Sequence, residues 1–262
     1  MVPFARNLIT EWRKLGLPTV GETILVAVSG GADSVGLLAA LNELVTRKKL
    51  ANRFVATHFN HRLRGRDSDA DEDFVKQLTE HLRVELITGS GDIEKAGNLE
   101  QNARLARYQF FAETADRVRA YGVLTAHTMN DRAETLLMNL IRGSGPDGLG
   151  ALPAMRPLHR TNTSVPPSDT DGPLLPFVAA PLLIRPLVNW AKREDTEHYC
   201  RERNIDFRYD TMNEDTAFRR VRIRKMVLPL LRDMNPKIIE TLARTAELLA
   251  DERDARESAG FE

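Results

Sequence analysis

The chain has 262 residues, with 37 Lys and Arg balancing 37 Asp and Glu, a length that can bury one large α/β domain plus a small helical extension. Net charge gives no global sign of a nucleic-acid partner, and no apolar run approaches the ~20 residues of a membrane span. The single cysteine, Cys200, excludes an internal disulfide and any thiolate metal cluster within the chain. Residues 1–17 mix Arg6, Glu11, Arg13 and Lys14 with apolar positions, which predicts an amphipathic first helix and a cytoplasmic protein.

Short apolar runs at 24–28, 54–57, 84–88, 122–126 and 182–184 lack alternation, as strands buried on both faces do. Helix-period segments lie between them. Residues 34–47 repeat Leu37, Leu38, Leu41 and Leu44; residues 67–82 align Phe74, Leu78 and Leu82; residues 130–142 carry Leu136, Leu137, Leu140 and Ile141. Asn98-Leu99-Glu100-Gln101 resembles a capping pair opening a helix that runs toward Arg119. Strand alternating with helix predicts an α/β fold with a doubly wound parallel sheet, whose ligands sit beyond the carboxyl ends of the strands. From Arg156 to Pro181 the chain turns rich in Pro, Ser, Thr and Asp and predicts a surface loop. Helices are expected over 189–203 and 218–232, with Ile223, Met226 and Val227 facing the core. Pro236 then opens a last helix over 237–256, whose Leu242, Leu248 and Leu249 need a partner surface. Three parts follow: a catalytic domain over 1–187, a helical subdomain over 188–235, and a connecting helix over 236–262.

Ser29-Gly30-Gly31-Ala32-Asp33-Ser34 falls between the first strand and its helix. Adjacent glycines let the backbone approach an anion closely, and the amides opening the helix point at it, so these six residues form a phosphate cradle. The loop fits neither G-x-x-x-x-G-K-[ST] nor G-x-G-x-x-G. Asp33 either binds Mg²⁺ that bridges phosphates or caps the helix. His58, Asn60 and His61 follow the second strand, with Arg62, Arg64 and Arg66 offering a polyanion contact or a solvated basic turn. No third ligand stands at zinc spacing near the histidines. Asp131 and Glu134 share a helix face near its N-terminus, where they favour the dipole or hold a cationic amine. Arg104 and Arg107 share another face, either to neutralise phosphate charge or as snorkelling surface residues. In the cluster 219–225, Arg220 and Arg224 align for RNA or for solvent.

Together these segments resemble the tRNA(Ile)-lysidine synthetase family of N-type ATP pyrophosphatases. The likeness covers nearly the whole chain: SGGADS, H-F-N-H-R-L-R, N-L-E-Q-N-A-R-L-A-R-Y-Q-F-F, A-H-T-M-N-D-R-A-E-T, I-R-G-S-G-P-D-G-L-G, R-P-L at Arg185 to Leu187, and D-T-M-N followed by R-V-R-I-R. The resemblance implies that ATP adenylates C2 of the wobble cytidine in an isoleucine tRNA bearing CAU. L-lysine then displaces AMP, with Mg²⁺ as the metal. By the same resemblance the loop 29–34 with His58 and Asn60 binds ATP, Asp131 and Glu134 orient lysine, and Arg107 assists at the reacting centre. Arg62 and Arg64 would contact the tRNA, and Arg185, Arg220 and Arg224 would face the tRNA or the activated base. The chain departs from the family pattern at Asn130, where Asp is common, at Arg132, where Gln is frequent, and at Val221, where Asn is usual. Longer members carry further C-terminal domains, so the chain is expected to be either a short form or a fragment, and the family is compatible with a homodimer. Two rivals stand beside this: an ammonia-dependent amidating ligase of the NAD or GMP synthetase type, and a nucleotide- and tRNA-binding adaptor without turnover. Thiolating relatives depend on cysteines, which one Cys200 does not satisfy.

Overall fold

A computed structural model describes the chain except for residue 64, 92–98, residue 151, 159–179, 210–218 and 259–262. Arg64, Asn98 and most of the loop expected over 156–181 therefore lie outside the described residues, as does the side chain of Arg66. Helix α1 (Pro3–Lys14) is followed by β1 (Val20–Ala27), α2 (Ala32–Thr46), β2 (Ala51–Asn60), α3 (Arg66–Leu82) and β3 (Glu85–Ser90). Next come α4 (Leu99–Arg117), β4 (Gly122–Leu124), α5 (Met129–Ile141), the short α6 (Pro146–Leu149), β5 (Met155–Pro157) and β6 (Leu182–Ile184). Helices α7 (Arg193–Glu202), α8 (Arg219–Arg222), α9 (Leu228–Met234) and α10 (Ile238–Ser258) complete it, with a π-helical turn at Ile223–Val227 between α8 and α9.

The sheet order is β3-β2-β1-β4-β6-β5. All neighbours are parallel except β5, which runs antiparallel to β6. The chain winds outward from β1 through β2 to β3, then returns to the other side of β1 with β4. This reversal opens the crevice between β1 and β4, where doubly wound sheets take their ligands. Both faces are covered. Ile24 and Val26 enter the cluster formed by α1, α2 and α7, whereas Leu25, Val123 and Leu183 meet Tyr108, Phe111, Ala112 and Ala115 of α4. Phe4, Leu8, Ile9 and Trp12 bury one stripe of α1, as the amphipathic pattern predicts.

Four expectations need correction. Residues 155–157 form an edge strand, because Arg156 pairs with Leu183 along β6. The helix expected from 189 begins at Arg193 instead, since the Asn189 amide is drawn onto Glu11 at 2.7 Å and Lys192 takes the cap position. The helix expected over 218–232 widens at 223–227, just before Pro229. Proline lacks a donor and crowds the carbonyl four residues back, and a π turn accommodates both effects. Ile223 and Val227 still pack inward, but Met226 is 60 % exposed. Finally, α10 buries Ala243, Ala246 and Ala250, whereas Leu248 is exposed. Small residues let α10 approach closely: a Cβ on Gly150 would stand 2.8 Å from the Ala250 amide nitrogen.

Candidate active site

The turn after β1 is closed by its own serines. Ser34 Oγ accepts the Ser29 amide at 3.1 Å and donates to the Gly31 carbonyl at 3.0 Å, and the two serine hydroxyls lie 3.2 Å apart. Gly30 has φ +91°, a backbone conformation that residues with a Cβ rarely adopt. Gly31 caps α2, and Ala32 and Asp33 form its first turn, where amides have no intrahelical acceptor.

The turn after β4 supplies the acid pair. Thr128 caps α5 in a reciprocal box: its amide and hydroxyl both donate to Asp131 Oδ2, at 2.8 and 3.0 Å. One Asp131 oxygen thus serves the helix start. The other, Oδ1, accepts from Arg220 at 3.3 Å. Glu134 is fully buried, and its carboxylate takes Arg220 Nε at 2.8 Å and Arg224 Nε at 2.7 Å. The alignment of Arg220 and Arg224 holds, and both guanidiniums are engaged on this acid.

Arg193, at the start of α7, joins the two turns. Its Nε lies 3.7 Å from Asp33, its Nη2 3.6 Å from Asp131 and its Nη1 3.7 Å from Glu134, so each nitrogen faces a different carboxylate. Its amide donates to Asn130 Oδ1 at 3.1 Å, which gives the departure at Asn130 a positioning use. One turn on, Thr196 donates to Asp33 Oδ1 at 2.5 Å and to the Arg193 carbonyl at 2.8 Å. Three carboxylates therefore face three guanidiniums. Desolvation, then the Asp131 charge, pushes the Asp33 carboxyl up to about 6. Asp131 is held well below the usual carboxylate range: burial opposes this, but Arg220 and Arg193 outweigh it.

A cavity of about 350 Å³ opens beside this cluster. Ser29, Asp33 and Ser34 line one part of it, His58 and Asn60 another, and Arg107 and His127 a third. His58 Nδ1 stands 2.8 Å from the Val28 carbonyl, an acceptor only, so that nitrogen carries the proton and burial keeps the ring neutral. Asn60 donates to Asp69 at 3.2 Å and Glu72 at 3.0 Å, and its oxygen accepts the Arg62 amide at 2.9 Å. It thereby fixes the turn that carries the exposed Arg62, whose φ is +53°. Burial, with the charges of Arg185, Arg220 and Arg107, drives His127 down to about 3 against the opposing pull of Asp131. Asp131 and Glu134 do not line the cavity, and they reach Asp33 through Arg193.

Other sequence candidates lie apart from the acids. Arg185 is 2 % exposed and donates to the Pro153 carbonyl at 2.7 Å. Arg132 is also buried and donates to the Leu152 carbonyl at 3.0 Å, a packing role. Cys200 packs on the Ala32 carbonyl, and burial pushes its thiol up to about 12, which makes it inert. Arg193 and Thr196 were invisible to sequence reasoning, because A-K-R-E-D-T looks like any charged helix start. His127 stood in a quoted motif with no role attached.

A parallel sheet with its serine–glycine turn and acidic cluster at the switch point defines a doubly wound α/β protein of the nucleotide-binding kind. The chain belongs to the PP-loop family, whose domain pattern matches residues 5–231. It is 39 % identical over 242 residues to a tRNA(Ile)-lysidine synthase of Geobacter sulfurreducens, 37 % over 231 to one of Porphyromonas gingivalis, and 37 % over 237 to one of Thermosynechococcus vestitus. These alignments take in 90 %, 86 % and 89 % of this chain but 46 %, 44 % and 61 % of those proteins, so the chain spans about half the length of its relatives. In fold it matches the U34-tRNA thiolase NcsA from Methanococcus maripaludis, with a TM-score of 0.71 at 15 % identity, covering 95 % of this chain and 79 % of that one. Among the described residues no helix is long and apolar enough to cross a membrane.

Proposed function

We propose that this chain is an ATP-dependent ligase that attaches lysine to C2 of the wobble cytidine in an isoleucine tRNA with a CAU anticodon. The observation that carries this is the Arg193 bridge, which ties a phosphate-loop carboxylate to an acid pair suited to an amine. The similarity to tRNA(Ile)-lysidine synthases supplies the substrates. In the first step the C2 oxygen attacks the α-phosphorus of ATP and the bond to the β-phosphate breaks, releasing pyrophosphate. In the second, the lysine amine attacks C2, the C2–oxygen bond breaks, AMP departs, and the nitrogen loses its proton.

The Ser29–Ser34 turn receives the phosphates, and His58 and Asn60 shape the adjoining wall. Asp33 would hold Mg²⁺; burial and then the Asp131 charge raise its carboxyl to about 6, and a bound cation would offset both. A single carboxylate suits an ion that draws most ligands from phosphate and water. Among the described residues no group of three His, Cys, Asp or Glu forms an all-protein cage. When bound, the ion would supply charge neutralisation on the phosphates.

Distances rank the three guanidiniums on the acid pair. Arg220 and Arg224 touch Glu134 at 2.7–2.8 Å, whereas Arg193 stands 3.6–3.7 Å from each partner and is the least tightly held. An incoming lysine amine takes its place between Asp131 and Glu134, and the displaced Arg193 turns to phosphate charge, alongside Arg107. Radiolabelled lysine, ATP and Mg²⁺ with unmodified isoleucine tRNA, and methionine tRNA as control, test the whole proposal. Label in the isoleucine tRNA alone is expected. Pyrophosphate release without label would point to another nucleophile, and silence in both assays would favour a non-catalytic adaptor.

A further inference from the structure

A second group of arginines gathers around one aromatic ring. Tyr108 on α4 is 5 % exposed, and the guanidinium carbons of Arg104, Arg156 and Arg107 lie 5.2, 5.7 and 5.9 Å from its ring centre. Arg185 reaches the same place from beyond β6. Its guanidinium faces the buried Tyr108 hydroxyl closely enough for the two side chains to interact. Among the described residues no carboxylate pairs with Arg104, Arg156 or Arg185, in contrast to the three guanidiniums balanced by Asp33, Asp131 and Glu134. Stacking on one ring eases the crowding but does not replace a counter-ion. Burial, with Arg156 and Arg104 alongside, brings Arg185 down to about 10. The Tyr108 hydroxyl is lowered as well: burial resists this, but Arg104, Arg185 and Arg107 prevail.

The missing partner is an anion, and forked guanidiniums match phosphate oxygens two at a time. The order of exposure gives it a direction, from exposed Arg104 through half-buried Arg156 to buried Arg185, ending at Tyr108 on the cavity wall. The phosphates of ATP have their own cradle in the Ser29 turn. A phosphate entering along the arginine path belongs to a polymer. We propose that Arg104, Arg156, Arg185 and the Tyr108 hydroxyl form a seat for a phosphodiester of the RNA strand, next to the nucleotide that lies in the cavity. This rests on the RNA-modifying function proposed above.

The test is fluorescence anisotropy of a labelled anticodon stem–loop bearing CAU on the full chain, from 50 to 300 mM salt, with a non-hydrolysable ATP analogue titrated in parallel. The double variant Arg104→Ala with Arg156→Ala, both reachable by solvent, is expected to bind RNA about tenfold more weakly. Its plot of log affinity against log salt is expected to flatten by about one unit, with affinity for the analogue unchanged. Tyr108→Phe, which keeps the ring and removes the hydroxyl, is expected to lose severalfold. Unchanged RNA affinity and slope in a folded double variant would overturn the seat. So would a loss confined to the ATP analogue, which would assign the anion to the nucleotide. A wild-type chain that binds no stem–loop at any salt would instead overturn the RNA function itself, and the seat with it.

Discussion

Glu134 shows what a single buried charge does here. With no exposed side-chain surface and two arginines within 2.8 Å, it is a structural anchor as well as the proposed amine ligand. Glu134→Ala leaves Arg220 and Arg224 facing each other without their counter-ion, and is expected to cost about 3–5 kcal/mol in urea unfolding. In the fraction that stays folded, adenylation is expected to survive and lysine transfer to slow; equal loss of both steps would count against amine binding. Asp33→Ala works differently, because burial and then the Asp131 charge already disfavour its carboxylate. It is expected to abolish pyrophosphate release while leaving thermal stability within about 1 kcal/mol of wild type. Arg193→Gln separates binding from chemistry. Removing the competing cation is expected to lower KM for lysine severalfold, and losing its charge near the phosphates to lower kcat about 10²-fold, both read from steady-state lysine incorporation. An unchanged KM would mean that Arg193 never occupies the amine's place.

At the scale of elements, what is local was legible and what depends on docking was not. The strand runs, the Ser29 turn and the start of α5 are set by neighbours a few residues apart, and each stands close to where local pattern puts it. Of the two readings open to the acid pair on α5, Asp131 Oδ2 meets the first by capping the helix, while Oδ1 faces an arginine of the protein itself. Helix α10 keeps the leucine pattern at Leu242, which packs against the core, and loses it at Leu248, because alanines form the closest seam. Its packing against α5 and α6 is closer than leucine permits, and Ala246 is completely buried. Ala246→Leu is therefore expected to destabilise by about 1–3 kcal/mol in urea unfolding, although it adds apolar surface. A stabilised variant would show that the seam has spare room. The π turn before Pro229 escaped prediction for a related reason: a proline inside a basic helix can break, kink or widen it, and packing onto Leu137 and Ile239 selects the third.

Across the molecule, the unbalanced titrations predict acid sensitivity. His58 is lowered by burial, His61 is brought to about 4 by burial and then by Arg107 and His58, and His127 to about 3. Each binds its proton in the unfolded chain near pH 6.5, well before it does in the folded one. Between those values the unfolded chain holds more protons, so stability is full above about 6.5 and declines as pH falls below it. His61 and His127 each contribute about 1–2 kcal/mol of that decline at pH 5 once screening is allowed for. Thermal unfolding at pH 7.5 and pH 5 is expected to show the drop, and His61→Asn to reduce it; an equal drop in that variant would place the sensitivity elsewhere.

The amino-acid sequence by itself determined the doubly wound sheet, the serine–glycine turn and the placement of Asp33, Asp131 and Glu134 near the N-termini of two helices. Hydrophobic period, glycine freedom and helix caps act over a few residues, so they are written in local order. Only the tertiary structure decided the charge pairing. Thr196 meets Asp33 across 163 positions, and Arg220 meets Glu134 across 86, once α7 and α8 have docked beside α5. It also decided that one set of arginines meets acids and another gathers around Tyr108. Coulomb energy depends on separation in space and on burial, and neither is fixed by spacing along the chain.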